Sequence, residues 1–389
     1  MIRLNLLRLA LMTSLFLSFN LCKGNPMTSS EIPLRQKIGQ MIMVGFHATK
    51  PSEPQVISLS KKIEQGLAGG VIFFRYNIVN PDQTRTLTRH FQSLKTPSPL
   101  LLAVDQEGGK VQRLNAKNGF KDYKSAKDVA KTLTPKEALA HYADMAKTTS
   151  NAGFNVVFGP VVDLDHNPTL ESENPPVNPV IGGLERAYSA DPKVIAEYAA
   201  QFIEAHRQYG ILTSLKHFPG HGLAPSDTHV DLTDVTATYE SELELAPYEI
   251  LAEKGLIDMV MTAHVMMRNL DEDYPATLSP IILKELLREG NNPYDGVVIS
   301  DDLFMGAVQK NYSFEEIVLL AVEADVDILL FSINTAAQKG INAEDQKPVD
   351  ANLVDKVIDI IEKAIKSGRL TQERINKSYE RIIKMKSAL

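Results

Sequence analysis

The chain has 389 residues, of which 44% are hydrophobic and 23% charged, a composition typical of a globular protein with a sizeable core. Its formal net charge of −7 at pH 7 and the absence of a long basic run argue against nucleic acid as a partner. The one cysteine, Cys22, has no partner for an intramolecular disulfide.

The N-terminus has the pattern of a secretory signal peptide. Arg3 and Arg8 provide a positively charged region, and residues 9–21 form an apolar run too short for a comfortable membrane span. We therefore assign residues 1–24 to a signal peptide and residues 25–33 to a short polar tether, which leaves no transmembrane span in the mature chain.

The cleavage site bears on where the protein resides. Gly24 suits cleavage by a signal peptidase, which would remove Cys22. A lipoprotein anchored through Cys22 is the alternative, but Leu21 stands where a small residue is usual, so simple secretion is favoured. An exported protein without disulfides fits the periplasm or cell envelope of a bacterium.

Eight continuous apolar runs recur along the rest of the chain, and each has the length of a buried strand. They cover residues 41–46, 70–74, 100–104, 154–158, 211–215, 259–262, 297–300 and 328–331. Helical patterns separate them, and their starts and stops are marked by proline in a first turn, by capping boxes and by glycine. These helices are predicted at residues 34–40, 135–150, 192–210, 242–254, 314–324, 352–367 and 371–385.

Strands that alternate with helices predict an α/β fold with a parallel sheet covered on both faces. The count of eight favours a closed TIM-type (β/α)8 barrel over an open doubly wound sheet. No GxGxxG motif follows the first strand, which removes the best support for a dinucleotide-binding fold. We assign residues 34–389 to a single catalytic domain.

Polar residues follow several of these strands, at the end of a barrel where enzymes of this fold carry their sites. Asp105 follows the third strand, and paired glycines after it let the backbone approach a ligand; a surface salt bridge is the alternative. Lys216 and His217 follow the fifth strand. Asp301 and Asp302 follow the seventh, and because successive residues point to opposite sides, one of them faces the barrel mouth unless both cap the next helix.

Two segments resemble the glycoside hydrolase family 3 β-N-acetylhexosaminidases. Residues 216–222 read Lys-His-Phe-Pro-Gly-His-Gly, with Asp-Thr-His at 227–229. Residues 105–113 read Asp-Gln-Glu-Gly-Gly-Lys-Val-Gln-Arg, in which Lys110 stands where the family usually has arginine. A second departure is Thr233, at a position where the family usually has proline.

The resemblance implies a retaining exo-β-N-acetylglucosaminidase that works without a cofactor or metal, on saccharides or muropeptides that contain N-acetylglucosamine. It implies that Asp301 is the nucleophile and that His229 is the acid/base, an imidazole being able to donate and accept a proton near neutral pH. Asp227 would hold the imidazole of His229 in one tautomer. We expect a monomer that acts on cell-wall fragments.

The resemblance also implies a set of residues that contact the sugar. Asp105 and Arg113 belong to the matched segment at residues 105–113. Arg186 matches an arginine that binds the sugar, although an ordinary loop arginine paired with Glu185 or Asp191 is the alternative. Lys216 and His217 complete the set, because their donors suit sugar hydroxyls. His264 either lines the pocket or packs as a hydrogen-bonded histidine.

Other functions remain open from the sequence. A metal site is disfavoured, because His217, His221 and His229 lack the i, i+4 spacing of a zinc-binding helix. A family 3 β-glucosidase is disfavoured because Asp227-x-His229 supplies an acid/base within the barrel, whereas those enzymes generally take it from a second domain. A phosphorylase would require phosphate for turnover, and a non-catalytic muropeptide-binding protein would not need the proposed catalytic residues.

Overall fold

The computed structural model describes residues 32–166, 178–333 and 352–389. The predicted signal peptide and all but the last two residues of the predicted tether lie outside the described residues. Among the described residues, no helix combines the length and the apolar character that a membrane crossing requires.

Eight parallel strands form the barrel, and all eight predicted apolar runs are confirmed as strands. The bounds are β1 (Ile42–Val44), β2 (Gly70–Phe73), β3 (Leu101–Val104), β4 (Val156–Val161), β5 (Leu212–Phe218), β6 (Met259–Thr262), β7 (Val297–Ile299) and β8 (Leu329–Phe331). Strands β1 to β7 pair in sequence order, and β8 pairs with β1. A parallel bridge between Ile299 and Ile328 joins the two edges, so the predicted closed (β/α)8 barrel is confirmed.

Helices surround the barrel. Those found in the described residues are α1 (Leu34–Gln40), α2 (Pro54–Glu64), α3 (Pro81–Gln92), α4 (Ala126–Thr132), α5 (Pro135–Asn151), α6 (Pro192–Arg207), α7 (Ser241–Glu244), α8 (Ala246–Glu253), α9 (Pro280–Leu283), α10 (Gly306–Gln309), α11 (Phe314–Glu323), α12 (Leu353–Lys366) and α13 (Gln372–Lys386). A π-helical turn, Lys284–Arg288, follows α9.

The helix starts follow the capping signals in the sequence. Thr134 and Glu137 form a capping box at the start of α5, and Ser313 and Glu316 form one at the start of α11. One predicted helix, residues 242–254, is wrong as a single element, because α7 ends before Leu245 and α8 begins after it. Pro247 lies in the first turn of α8, where its ring and its missing N–H prevent a continuous helix.

Strands β4 and β5 run further than the apolar pattern predicts, and this extension positions the site. The prediction ended β5 at Leu215, whereas the strand continues through Phe218 and pairs Lys216 with Val161 of β4. Polar residues can occupy a buried strand when each finds a charged or hydrogen-bonding partner. Lys216 and His217 therefore lie inside the barrel mouth on a rigid strand instead of on a loop.

Buried charges join the C-terminal helix to the amino-terminal end of the barrel. Asp327, just before β8, is fully buried and contacts Arg288, Arg374 and Arg381, with N–O distances of 3.0–3.6 Å. Lys386, near the end of α13, is also buried, and its ammonium donates to the Gln40 side chain (2.7 Å) and to the Gly69 carbonyl (2.9 Å).

Candidate active site

A cavity of about 490 Å³ opens at the carboxyl ends of the barrel strands. The structure brings all of the sequence-predicted site residues to its lining: Asp105, Arg113, Arg186, Lys216, His217, Asp227, His229 and Asp301. These residues come from six different strand ends and loops. The cavity is therefore assembled by the folding of the barrel and not by one sequence motif.

Asp105 lies at the end of β3, between two cations. Arg113 Nη2 donates to its Oδ2 (2.8 Å), and Lys216 Nζ donates to its Oδ1 (3.1 Å). Burial opposes ionisation of this carboxyl, but Lys216 and Arg113 outweigh it and hold the pKa of Asp105 well below its usual range. The carboxylate is therefore charged at neutral pH and held in a fixed orientation.

Glu107 is a residue that the sequence analysis missed. Arg186 donates to both of its carboxylate oxygens, at 2.8 and 2.9 Å, and Lys216 Nζ lies 2.6 Å from Oε1. Arg186 therefore pairs with Glu107, and the alternative of a loop arginine paired with Glu185 or Asp191 is wrong. The available signal was spacing, because a residue two positions after Asp105 shares its face of an extended chain.

Asp163 is the second residue whose contribution was missed. Its Oδ2 accepts from His217 Nδ1 (2.6 Å), and its Oδ1 accepts from the backbone N–H groups of His217 (3.1 Å) and His221 (2.8 Å). Burial opposes ionisation, yet the contacts with His217 lower the pKa of Asp163 to about 2. Because the carboxylate only accepts, Nδ1 of His217 carries a proton, and Nε2 faces Arg186 Nη2 at 3.4 Å.

The two aspartates after β7 have different environments. Asp302 is buried, and its Oδ1 accepts from the backbone N–H groups of Ser332 (2.9 Å) and Phe304 (3.1 Å), while its Oδ2 accepts from the Ser332 hydroxyl. Burial raises the pKa of Asp302 to about 6. Asp302 thus holds the chain after β7 in place, and capping of α10 by both aspartates is wrong, because the N-cap of α10 is Met305.

Asp301 is the member of this pair whose charge is maintained. Burial opposes its ionisation, but the imidazoles of His264 and His217 outweigh it and lower the pKa of Asp301. The backbone N–H of Asp302 also donates to its Oδ1 at 2.7 Å. His264 is itself buried, lies 2.9 Å from Thr277 Oγ1 and donates to the Asp302 carbonyl (3.0 Å), so it is the packed, hydrogen-bonded histidine of the two alternatives.

Asp227 and His229 form a dyad on the loop after β5. The Nδ1 atom of His229 lies 2.7 Å from Asp227 Oδ1, and the same oxygen accepts the backbone N–H of His229 at 2.8 Å. The His229 side chain is 37% exposed, whereas the carboxylates deeper in the cavity are nearly buried. The arrangement fixes the ring through one nitrogen and presents the other side of the ring to the cavity mouth.

Buried contacts hold both ends of this loop. The ring of His221 bonds Thr228 Oγ1 through Nε2 (2.9 Å), and Asn178 donates to the carbonyls of His221 (2.9 Å) and Ala224 (2.8 Å). Burial lowers the pKa of His221 to about 4, so this imidazole is neutral at physiological pH. Thr233, which replaces the usual proline, accepts from Ser226 Oγ (2.7 Å) and pairs with Val265 in a short parallel ladder.

No group of three or more histidine, cysteine, aspartate or glutamate side chains in residues 32–166, 178–333 and 352–389 is arranged to hold a metal ion. His217, His221 and His229 each bond an aspartate or threonine oxygen.

The fold and the cavity define a TIM-barrel enzyme whose polar site lies at the carboxyl ends of the strands. Residues 33–385 match the family described as glycosyl hydrolase family 3 N terminal domain. The chain belongs to glycosyl hydrolase family 3.

Named relatives and solved structures agree with this assignment. The chain is 30% identical over 400 residues to beta-hexosaminidase A of Pseudoalteromonas piscicida, covering 93% of this chain and 62% of that enzyme. It is 32% identical over 307 residues to a beta-hexosaminidase of Photobacterium profundum, covering 76% of this chain and 84% of the relative. The structure of a family 3 beta-N-acetylglucosaminidase from Paenibacillus superposes with a TM-score of 0.77 at 32% identity, covering 92% of this chain and 62% of that one.

Proposed function

We propose that this protein hydrolyses terminal, non-reducing β-linked N-acetylglucosamine and retains the anomeric configuration. The observation that carries the proposal is that the ionised carboxylate of Asp301 and the Asp227–His229 dyad line the same cavity. Relatives named beta-hexosaminidase and a structure named beta-N-acetylglucosaminidase support the substrate class. The chain spans 62% of the length of the first of these enzymes, and its activity is therefore proposed from its own site.

Sugar recognition is assigned to the inner part of the cavity. Asp105 can accept hydrogen bonds from two neighbouring hydroxyls, because each carboxylate oxygen keeps a lone pair beyond its present contact. Arg113, Lys216 and Arg186 surround it and supply donors for the remaining oxygens. These donors are already paired with buried carboxylates, so their positions are set before a sugar arrives. His217 lines the same cavity, but its Nδ1 proton is already donated to Asp163, so it supplies no donor in this tautomer.

The proposed reaction has two steps. Asp301 attacks the anomeric carbon, while His229 gives its proton to the leaving oxygen, and a covalent glycosyl-enzyme forms. His229 then removes a proton from water, which attacks the same carbon and releases Asp301. Asp227 keeps one tautomer of the His229 ring and stabilises the imidazolium that forms in the second step.

The source of the substrate is proposed from the N-terminal sequence. A signal peptide over residues 1–24 would take the protein to the periplasm or cell envelope, where N-acetylglucosamine-containing wall fragments and muropeptides occur. No cofactor or metal is needed for the proposed chemistry. Fractionation of expressing cells, with detection of the mature N-terminus by mass spectrometry, tests the location and separates cleavage after Gly24 from lipidation at Cys22.

The activity is tested with a chromogenic N-acetyl-β-D-glucosaminide, with the plain β-glucoside beside it and Asp301→Ala as the control. We expect the acetamido sugar to be cleaved and the variant to lose more than about 1,000-fold in kcat. An intact-mass increase of one glycosyl group after incubation with a slowly turning-over fluorinated substrate would show the covalent intermediate, and a peptide digest would locate it at Asp301. Preference for the glucoside would contradict the substrate class, and turnover that requires phosphate would assign a phosphorylase instead.

A further inference from the structure

The segment that carries Asp301 touches the loop that carries His229. We define the His229 loop as residues 221–232. After β7 the chain passes Asp301 and turns into the short helix α10, which begins at Gly306. The start of α10 packs on the backbone of the His229 loop, so two elements that supply different catalytic groups share one contact.

Gly306 lies so close to this loop that no larger residue fits. A β-carbon added there would lie 2.7 Å from the carbonyl oxygens of both His229 and Val230, and 3.1 Å from the carbonyl carbon of Val230. A β-carbon essentially never lies within 3.0 Å of such an atom, and the atoms met here are backbone, so the loop itself would have to shift. Space, and not backbone conformation, therefore requires glycine at this position.

Two hydrogen bonds hold Thr228, the residue just before this contact. The backbone N–H of Ala307 donates to the Thr228 carbonyl (3.2 Å), and His221 Nε2 bonds the Thr228 hydroxyl (2.9 Å). His221 is buried and is itself fixed through its backbone N–H to Asp163. Thr228 is thus held through its hydroxyl by His221 and through its carbonyl by the segment that follows Asp301.

We propose that Gly306 is a positioning residue, whose contact with the His229 and Val230 carbonyls sets where the His229 imidazole stands relative to Asp301. The inference rests on the proposed function, which makes these two groups the acid/base and the nucleophile. A β-carbon at position 306 pushes the loop outward and leaves Asp301 in place, because Asp301 precedes the contact and the Asp302 side chain anchors it. Displacement of a proton donor by a fraction of an ångström to 1 Å impairs proton transfer more than nucleophilic attack.

The test measures leaving-group dependence in Gly306→Ala. With a series of aryl N-acetyl-β-glucosaminides, we expect kcat/KM of the variant to fall about 10- to 100-fold for poor leaving groups, which need protonation. For 2,4-dinitrophenolate, which departs without a proton, we expect a loss of no more than about threefold. A uniform loss across the series, or no loss, would overturn the proposal.

A structural readout accompanies the kinetics and does not depend on the substrate. Hydrogen exchange followed by mass spectrometry should show faster exchange of the His229 loop in Gly306→Ala and unchanged exchange in strands β1 to β8. Equal exchange of the His229 loop in the wild type and in Gly306→Ala would contradict the proposal that Gly306 holds this loop. If the wild type cleaves no N-acetylglucosaminide, the proposed function fails, whereas the exchange comparison still decides whether Gly306 holds the loop.

Two further variants complete the design. Gln309→Ala lies in the same helix, and in the part of the chain that the structure describes its side chain makes no hydrogen bond to the loop. It should therefore match the wild type in both readouts. Thr228→Val removes the hydroxyl bonded by His221 and keeps the side-chain shape, so it should reproduce the leaving-group dependence of Gly306→Ala even where Gly306→Ala folds poorly. A wild-type leaving-group profile in Thr228→Val together with faster exchange of the His229 loop would contradict the proposal, because the loop would then move without any effect on protonation.

Discussion

Glu107 holds two of the cations that line the cavity. It contacts Arg186 through both oxygens and Lys216 through one, and all three side chains are nearly buried. Removing the charge from one member of such a group leaves the other charges buried without a partner. The resulting loss of stability exceeds the net stability that the whole group contributes. The role of Glu107 is therefore to fix the positions of Arg186 and Lys216, the donors proposed to contact the substrate.

Glu107→Gln is expected to lower kcat/KM for the N-acetylglucosaminide by about 10- to 100-fold, mainly through KM, because Arg186 and Lys216 lose their fixed positions. Steady-state kinetics with the chromogenic substrate measures the change. Glu185→Gln is the matched control, since Glu185 is the neighbour of Arg186 in sequence but not its partner. Equal effects of the two variants would show that the ion pair has no special role.

At the scale of an element, helix α13 depends on a buried ionic cluster at the amino-terminal end of the barrel. Arg374 and Arg381 of α13 both contact Asp327, which is fully buried, while Arg381 also contacts Asp295, which is 83% exposed. A buried carboxylate with several cationic partners cannot be neutralised without leaving buried charges unpaired, whereas an exposed partner is replaced by water. Asp327 and Asp295 both pair with Arg381, but only the pair with Asp327 is expected to contribute strongly to stability.

We expect Asp327→Asn to lower the free energy of unfolding by about 3 to 5 kcal/mol. Asp295→Asn should cost no more than about 1 kcal/mol. Urea denaturation followed by circular dichroism measures both. Similar values for the two variants would mean that burial does not determine the strength of these pairs, and a loss of activity in folded Asp327→Asn would show that the cluster also supports the cavity.

At the scale of the whole molecule, the two ends of the barrel have separate tasks. The carboxyl ends carry the cavity, and the amino ends carry the ionic cluster and Lys386. Burial lowers the pKa of Lys386 to about 7, below the ordinary value of a lysine. A lysine with a lowered folded-state pKa reduces stability most below that pKa, and its cost declines as pH rises toward the unfolded-state value.

Lys386→Met should therefore raise the melting temperature by several degrees below pH 7, and the gain should shrink between pH 7 and pH 10. The acceptors left behind keep other partners, because Gln40 accepts from Ser98 and the Gly69 carbonyl accepts from the Leu101 backbone. Differential scanning calorimetry across this pH range measures the effect. Lys384→Met, on the exposed face of α13, should change little at any pH, and a pH-independent gain for Lys386→Met would contradict the explanation.

The fold and most of the site residues that line the cavity could be predicted because their signals are local. Apolar runs predict the eight strands, capping residues predict the starts of α5, α6 and α11, and two contiguous motifs contain the predicted site residues other than Arg186 and Asp301. Helices α2, α3, α4, α9 and α10 were not predicted. The partners could not be predicted, since Glu107 and Arg186 are 79 positions apart and Asp163 and His217 are 54 apart. Such pairs exist only after the barrel brings strand ends together, and the same reason hid the polar extension of β5.

The paired charges around Asp105 have a consequence for how the empty cavity behaves. Each cation there already has a carboxylate within 3.1 Å, and most of these groups are shielded from solvent. Salt screens exposed charges strongly and buried pairs weakly. Binding of a neutral sugar should therefore depend little on ionic strength, a property that would suit the proposed export to the cell envelope.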